Sequence, residues 1–326
     1  MTTQPSNLAV NSARLSPKKM ADAPPHICIC ICTFRRRELL ARLLTRLREL
    51  QKGTDVFSFS CVVVDNDENG SAAEMISSFQ NPDGLKITYQ CEPERNFAIV
   101  RNRAVRAASG DYIAFIDDDE APEKDWLLRL LETCNRYGCD GALGPVRPYF
   151  EKPAPRWLEK SKLCDRPVHP TGLILNWQQT RSGNVLLRRD IFESDGLWFD
   201  PAYRTGGEDV DFFKRAIAAG RRFVWCEEAP AYEFVPVERM RLAYHLKRAL
   251  LQGRISLKYA TDKLTPMARL HIGAKSIVAI FCYTLALPVL ALPATGLTVK
   301  YLIKNCHHLG RLFALLALPV WEERNF

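Results

Sequence analysis

The stretch Asp111–Glu120, DYIAFIDDDE, decides how the chain is read. Tyr112 to Ile116 are apolar and strand-forming, yet the run breaks off on Asp117, Asp118 and Asp119, followed by Glu120. Adjacent carboxylates repel one another and aspartate continues a strand poorly, so folding alone rewards this arrangement little. A positive partner at the end of the strand is the expectation that follows.

The segments before it repeat one pattern. Ile27 to Cys32 reads as a first strand, and Arg37 to Leu50 as an amphipathic helix with leucine at 39, 40, 43, 44, 47 and 50. Phe57 to Val64 is a second strand, Ala72 to Phe79 a short helix and Leu85 to Gln90 a third strand. Phe97 to Ala108 is a helix closed by Gly110, and Tyr112 opens the fourth strand. This alternation predicts an α/β fold: a mostly parallel sheet with helices on both faces and a ligand crevice beyond the carboxyl ends of the strands. In HICICICTF, Cys28, Cys30 and Cys32 alternate with Ile27, Ile29 and Ile31, as in a strand buried on both sides. The cysteines are expected to be small core residues, because side chains two apart on one strand do not converge into a tetrahedral metal cage.

With 326 residues, 47% of them hydrophobic, the chain suffices for one large α/β core or two modest domains. Its net charge of +8 favours anionic partners without naming one. Eleven scattered cysteines and no secretory signal fit a reducing cytoplasm, and residues 1–25, ending at Pro24 and Pro25, read as a flexible tail.

Three strand ends carry polar groups: Thr33 with Arg35 to Arg37, then Asp65, Asn66 and Asp67, then Asp117, Asp118 and Asp119. A single Asp after a strand often only caps a helix; convergence on one sheet edge is what counts. Basic groups after the first strand suit phosphates, and a carboxylate after the second can accept bonds from a nucleotide's base or ribose. The acids after the fourth suit a hard divalent cation completed by phosphate and water. Asp65, Asp67, Asn69 and Gly70 match the start of an EF-hand loop, but Ile76 stands at its twelfth position and a strand leads in. Neither GxxxxGK[ST] nor GxGxxG follows the first strand, so P-loop and dinucleotide folds lose their usual support.

ICTFRRREL, VVVDND, NFAIVRNRAVRAASGDYIAFIDDDE and GGEDVDFFKRAIAAG together resemble a family 2 glycosyltransferase of the GT-A fold. With LGPVRPYF, APRW at Ala154 to Trp157 and GNVLLRRD at Gly183 to Asp190, the order of motifs is similar to the bacterial succinoglycan biosynthesis glucosyltransferases of that family. The likeness runs from about Ile27 to Arg239. It implies an inverting transferase that takes a nucleotide sugar, commonly UDP-linked, with Mg2+ or Mn2+ at the Asp cluster. Asp65 and Asn66 would then contact the nucleotide, Thr33 and Arg35 would line the same donor pocket, and Asp117 with Asp119 would hold the metal and diphosphate. Asp118 fits a donor contact and a loop carboxylate equally, and Arg101 in the matching helix fits a donor contact or an ordinary salt bridge.

Displacing a nucleoside diphosphate from an anomeric carbon builds charge on the departing phosphate, and the acceptor hydroxyl must lose a proton. In TGGEDVDFFKRAIAAG, Phe212, Phe213, Ala216 and Ile217 give a helical apolar face, and Glu208, Asp209 and Asp211 occupy its first turn. Acids there are favoured by the helix dipole alone; the resemblance makes Asp209 the general base and Glu208 an acceptor contact, with Asp211 in reserve. Trp157 and Trp177 suit either stacking on sugar rings or core packing, and Asn184 either an acceptor contact or a turn. Tyr232 stands where many relatives carry a histidine that completes the metal's ligand set. Gln252, Gly253 and Arg254 only hint at the QxxRW of processive relatives, which favours transfer of a single sugar.

Past Pro236 the character changes. Arg239 to Lys275 holds nine Lys or Arg against one acid, Asp262, with Leu242, Leu246, Leu250 and Leu257 at helical spacing. Ser276 to Val299 is uncharged and about the ~20 residues a bilayer crossing needs, though Pro288 and Pro293 interrupt it, and Leu312 to Trp321 is a second, shorter apolar piece. The expected organisation is a tail over 1–25, a GT-A domain over 26–238, a basic amphipathic helical segment over 239–275 and an apolar membrane-associated segment over 276–326. The expected activity is hexosyl transfer, of glucose by the resemblance, to a polyprenyl-diphosphate-linked oligosaccharide at the cytoplasmic face of a bacterial inner membrane, with no nucleic acid partner. A metal-dependent nucleotidyltransferase and a non-enzymatic membrane-docked binding module are the alternatives.

Overall fold

A computed structural model of the protein describes residues 23–50, 56–79, 84–204, 206–258, 265–290 and 296–318. Most of the expected N-terminal tail, Asp262, Pro293 and the end of the Leu312 to Trp321 piece lie outside these residues. The chain forms two compact units, one from the described residues up to Val146 with Arg166–Glu233, the other from Arg147–Asp165 with Phe234 onward.

The strands of the first unit are β1 (His26–Thr33), β2 (Ser58–Asp65), β3 (Ile87–Cys91), β4 (Tyr112–Ile116), β5 (Glu120–Pro122) and β6 (Gly141–Leu143). After β7 (Val146–Tyr149), which leads out of this unit, come β8 (Asn184–Arg188), β9 (Phe223–Trp225) and β10 (Ala231–Phe234). The main sheet has seven strands in the order β3-β2-β1-β4-β8-β6-β9. Neighbours are parallel except that β8 runs antiparallel to both β4 and β6. Register sets Thr33 beside Asp65 and Asp65 beside Cys91, so the polar ends of β1, β2 and β3 lie level.

Helices cover both faces. The early ones are α1 (Arg37–Arg48), α2 (Ala73–Phe79), α3 (Phe97–Ala107) and α4 (Trp126–Tyr137). They are followed, after α5 (Arg156–Ser161) of the second unit, by α6 (Asp190–Glu193) and α7 (Glu208–Ala218). The apolar stripe of α1, Leu40, Leu43, Leu44 and Leu47, is fully buried, in one core with Ile27, Ile29 and Ile31. Cys28 and Cys30 belong to the opposite core with the apolar face of α7, so β1 is covered on both sides as its alternation predicts. The eleven cysteines are free thiols. A small antiparallel pair joins β10 to β5 and sets Glu233 opposite Glu120.

β8 is the strand whose direction the sequence hides. Val185, Leu186 and Leu187 are all buried, so the run has no polar face and its periodicity says nothing of orientation. Its antiparallel entry places Gly183 and Asn184 level with the end of β4, opposite Ile116.

In the second unit, α8 (Leu242–Lys258), α9 (Pro266–Leu290) and α10 (Gly296–Leu315) make up the bulk. A small core of Leu158, Val235 and Met240 lies under α5.

Candidate active site

Three loops at the carboxyl ends of β1, β2 and β4 supply the polar groups. After β1, Thr33 Oγ1 donates to Asp118 Oδ2 at 2.7 Å, and Arg36 Nη1 donates to Asp118 Oδ1 at 2.9 Å and Asp119 Oδ2 at 3.2 Å. Arg36 is thus the cation set against the Asp cluster. Arg35, held at φ 55°, turns instead to Asp67, with Nε and Nη2 donating to its two oxygens at 3.0 and 3.2 Å.

Asp65 and Asn66, expected to contact the donor, are bonded within their own loops. The Asp65 carboxylate is fully buried and accepts from the backbone N–H of Asp67 and Ala72, and from the hydroxyls of Ser71 and Tyr89. Asn66 Nδ2 donates to Glu92 O and Glu94 O, both at 2.7 Å. Both side chains brace the β2 and β3 loops.

The acids after β4 differ in environment. Asp117 is the open one, its side chain 43% exposed, with Arg101 Nη2 at 3.9 Å. Asp118 is buried between Thr33 and Arg36; burial raises its pKa against the pull of both partners. Burial, then repulsion by Asp118 and Asp117, pushes Asp119 up to about 7, with Arg36 opposing. Glu120 lies deeper still, and burial followed by Asp117 holds its carboxyl well above the usual range. Its Oε2 accepts weakly from the Asp117 N–H, while the buried Oε1 has no hydrogen-bond partner. A Cβ on Gly183 would sit 3.0 Å from Glu120 Oε1 and 3.1 Å from Asp117 Oδ2, so a glycine here keeps room beside the two carboxyls.

On the other side stands α7. Gly206 and Gly207 lead into it at positive φ, and its first turn carries Glu208, Asp209 and Asp211. Glu208 is buried and paired with Arg101 Nη1 of α3. Burial works against the charge of Arg101, but Glu208, Cys32, Asp117 and Asp209 outweigh it and hold the guanidinium charged. One arginine therefore touches the α7 acids and faces the β4 acids. Asp209 is partly buried; its Oδ1 accepts from the Val210 N–H at 2.8 Å, and it acts electrostatically on Arg101 and Arg181. Asp211 is spent on Arg215 at 2.8 Å.

Two of the expected acceptor residues have these surroundings. Asn184 is fully buried: Trp126 Nε1 donates to its Oδ1 at 2.7 Å, and its Nδ2 donates to Pro145 O and Ala229 O at 3.0 and 2.8 Å. No polar atom of the Asn184 side chain is exposed to meet a sugar. Trp157 belongs to the second unit, edge-on to His245. Trp177, 37% exposed, stands beside α7 with Lys214 Nζ 5.6 Å from its ring centre.

Sequence reasoning passed over three groups near the cluster. Arg166 pairs with Glu233, and Glu233 faces Glu120 across the strand pair. Arg181 is partly buried, repelled by Arg166 and attracted by Glu120, Asp209 and Glu233, and has no hydrogen bond or ion pair among the described residues. The signal for Arg181 was weak, a lone arginine two residues before GNVLLRRD.

No group of three or more His, Cys, Asp and Glu side chains among the described residues encloses a metal ion. The donor types nonetheless suit Mg2+ or Mn2+: Asp117 and Asp119 offer hard carboxylate oxygens, and the buried Glu120 Oε1 has no hydrogen-bond partner. Two protein carboxylates fit an ion whose other positions a diphosphate and water fill. Tyr232 sits opposite Ala121, next to Glu233, and brings no imidazole to the set.

A mixed sheet with helices on both sides and carboxylates at the strand ends facing an acidic helix start defines a GT-A glycosyltransferase. Known proteins agree. The sequence matches the family model described as glycosyl transferase family 2 over residues 28–196. It is 32% identical over 303 residues to the succinoglycan biosynthesis protein ExoM of Rhizobium meliloti (strain 1021), covering 91% of this chain and 95% of that one. Among solved structures, the fold is similar to the mannosyltransferase PcManGT from Pyrobaculum calidifontis in complex with GDP-Man and Mn2+. That likeness has a TM-score of 0.57 at 18% identity and covers 92% of this chain and 91% of that one. It is also similar to S. aureus TarS 1-349 in complex with UDP-GlcNAc, TM-score 0.53 at 14% identity, covering 90% and 92%. The chain belongs to glycosyl transferase family 2. The nucleotidyltransferase alternative gives way to glycosyl transfer.

Proposed function

We propose that the protein is an inverting hexosyltransferase that moves glucose from a UDP-linked donor to a polyprenyl-diphosphate-linked oligosaccharide in the synthesis of a succinoglycan-like exopolysaccharide. The transferase domain is read as residues 26–238, working at the cytoplasmic face of the bacterial inner membrane through the C-terminal segment. The exopolysaccharide reading draws on the likeness to the Rhizobium protein, and the nucleotide-sugar donor on the complexes of the two structural relatives. The carrying observation is that Arg101 bridges the two acidic groups, bonded to Glu208 and 3.9 Å from Asp117.

Each side then has its own work. Asp117 and Asp119 would hold the divalent ion, which when bound neutralises charge on the departing diphosphate. Thr33 and Arg36 fix the neighbouring Asp118, and Arg101 and Arg181 add positive charge near the leaving group. Asp209 takes the proton of the acceptor hydroxyl as its oxygen forms a bond to the anomeric carbon. The bond from that carbon to the phosphate oxygen breaks, and its electron pair leaves with the nucleotide. One base and one displacement invert the configuration. The exposed face of Trp177 beside α7 offers the acceptor sugar a stacking surface.

Asp209→Asn tests this directly, using labelled UDP-glucose, Mn2+ and lipid acceptors extracted from native membranes. Turnover should fall by about 10²–10⁴-fold while nucleotide binding persists. Unchanged turnover would remove Asp209 from the role of base, and transfer from a different labelled nucleotide sugar would replace the donor.

A further inference from the structure

Within the second unit, α9 has the length and composition of a membrane span, with a mean hydropathy of 1.6 over Pro266–Pro288. Its surroundings argue against a crossing. α10 lies antiparallel along it: Ser276 faces His308 at 3.4 Å, the rings of Tyr283 and Tyr301 are 5.1 Å apart, and Asn305 Nδ2 donates to Thr284 Oγ1 at 3.1 Å. Lys304 Nζ stands 5.2 Å from the centre of the Tyr283 ring and 5.7 Å from that of Tyr301. The side of α9 that meets α10 is therefore polar and has a cation beside Tyr283.

α10 is not free to leave that cation behind. A Cβ on Gly253 of α8 would fall 1.9 Å from His307 O, and one on Gly310 2.0 Å from Leu250 O, so the α8 and α10 backbones are in direct contact. On the other side of α9, Met267, Leu270, Ile277, Val278, Phe281 and Leu285 recur at three- and four-residue spacing and are 59–75% exposed. The helix is amphipathic only in the company of α10, with an apolar stripe outward and a polar seam inward. Helices α8, α9 and α10 together hold nine Lys or Arg and no Asp or Glu.

Resting on the reading that the protein works at a membrane, we infer that α9 lies in the plane of an anionic bilayer surface and does not cross it. Upright insertion would carry Lys304, and with it the Tyr283, Thr284 and Asn305 seam, into hydrocarbon, where a charge without a counter-ion is strongly disfavoured. Lying flat, the outward stripe enters to about 5–10 Å, the seam stays above it, and the acid-free basic surface meets lipid phosphates. Charge complementarity selects the occupant: a bilayer rich in anionic lipid.

The test uses the full chain and vesicles of phosphatidylglycerol with phosphatidylethanolamine, compared with pure phosphatidylcholine. Flotation should be about tenfold stronger on the anionic vesicles, drop by about tenfold or more in Phe281→Glu/Leu285→Glu with the circular dichroism unchanged, and be reversed by alkaline carbonate. Cys282 is exposed beside Phe281, so a fluorophore there, with Cys282→Ser as the subtraction control, reports depth against quencher lipids. Shallow quenching supports the flat orientation. Deep quenching with carbonate resistance overturns the orientation alone, whereas failure to float on any vesicle overturns membrane attachment and the inference with it.

Discussion

Arg101 of α3 and Glu208 at the head of α7 form a buried ion pair, their side chains 14% and 4% exposed, across 107 residues of sequence. Removing one partner of such a pair leaves the other charge uncompensated, at a cost of about 3–5 kcal/mol. Arg101→Met should therefore lower unfolding stability by about that much in urea, and Arg101→Met/Glu208→Gln should recover a large part of it. Recovery of stability without recovery of turnover is the expected combination, because Asp117 loses its neighbouring cation in both variants. A double variant as unstable as the single would mean that the pair is not what the site leans on.

Asp119 makes the stability of the metal-free protein depend on pH. Its carboxyl is raised from its ordinary value of 3.8 to about 7 in the fold, so between those values the native state binds more protons than the unfolded one. Stability contributed by this group therefore falls as pH rises through that window, by an amount on the order of 4 kcal/mol, and the loss is complete above it. Asp119→Asn should flatten that part of the stability curve. A divalent ion prefers the ionised carboxyl, so added Mn2+ should raise the melting temperature more near the alkaline end of the window than the acid end. Parallel pH curves for wild type and Asp119→Asn would contradict the assignment.

Much of this was readable in the residues and part of it was not. β1 to β4 follow from alternation and from breaks in hydrophobicity, and their polar ends were correctly gathered on one edge because parallel strands share a carboxyl end. The antiparallel course of β8 was hidden because a strand buried on both faces has no alternation to orient. Asp65 and Asn66 looked like ligand contacts for the same reason that they cap loops well: short polar side chains satisfy nearby backbone groups as readily as a ligand. The Arg101–Glu208 pair and the inward seam of α9 are tertiary facts, set by which helices meet, and local spacing carries no trace of either.

Asn184 shows the consequence at one position. Replacing it by alanine leaves the Trp126 indole N–H and the buried Ala229 O without that partner, while Pro145 O keeps the Ala231 N–H. Unsatisfied buried groups cost about 1–3 kcal/mol each, in part relieved by relaxation, so Asn184→Ala should destabilise the fold by about 2–4 kcal/mol. At a temperature where the variant stays folded, its acceptor KM should remain near that of the wild type. A raised acceptor KM with stability unchanged would restore the acceptor role that burial denies it.

Arg181 should behave in the opposite way. It is partly buried with no hydrogen bond or ion pair among the described residues, and burial followed by the repulsion of Arg166 works against its charge. A cation kept under those conditions gains nothing for the fold, so Arg181→Met should leave the melting temperature unchanged or raise it. Its return comes when a diphosphate brings negative charge to the cluster of Glu120, Asp209 and Glu233. Loss of one such stabilising group is worth about 10²-fold in turnover, and Arg181→Lys should restore part of it by keeping the charge without the fork. A fall in melting temperature with turnover preserved would make Arg181 a structural residue and leave the charge on the departing nucleotide to Arg101 and the metal.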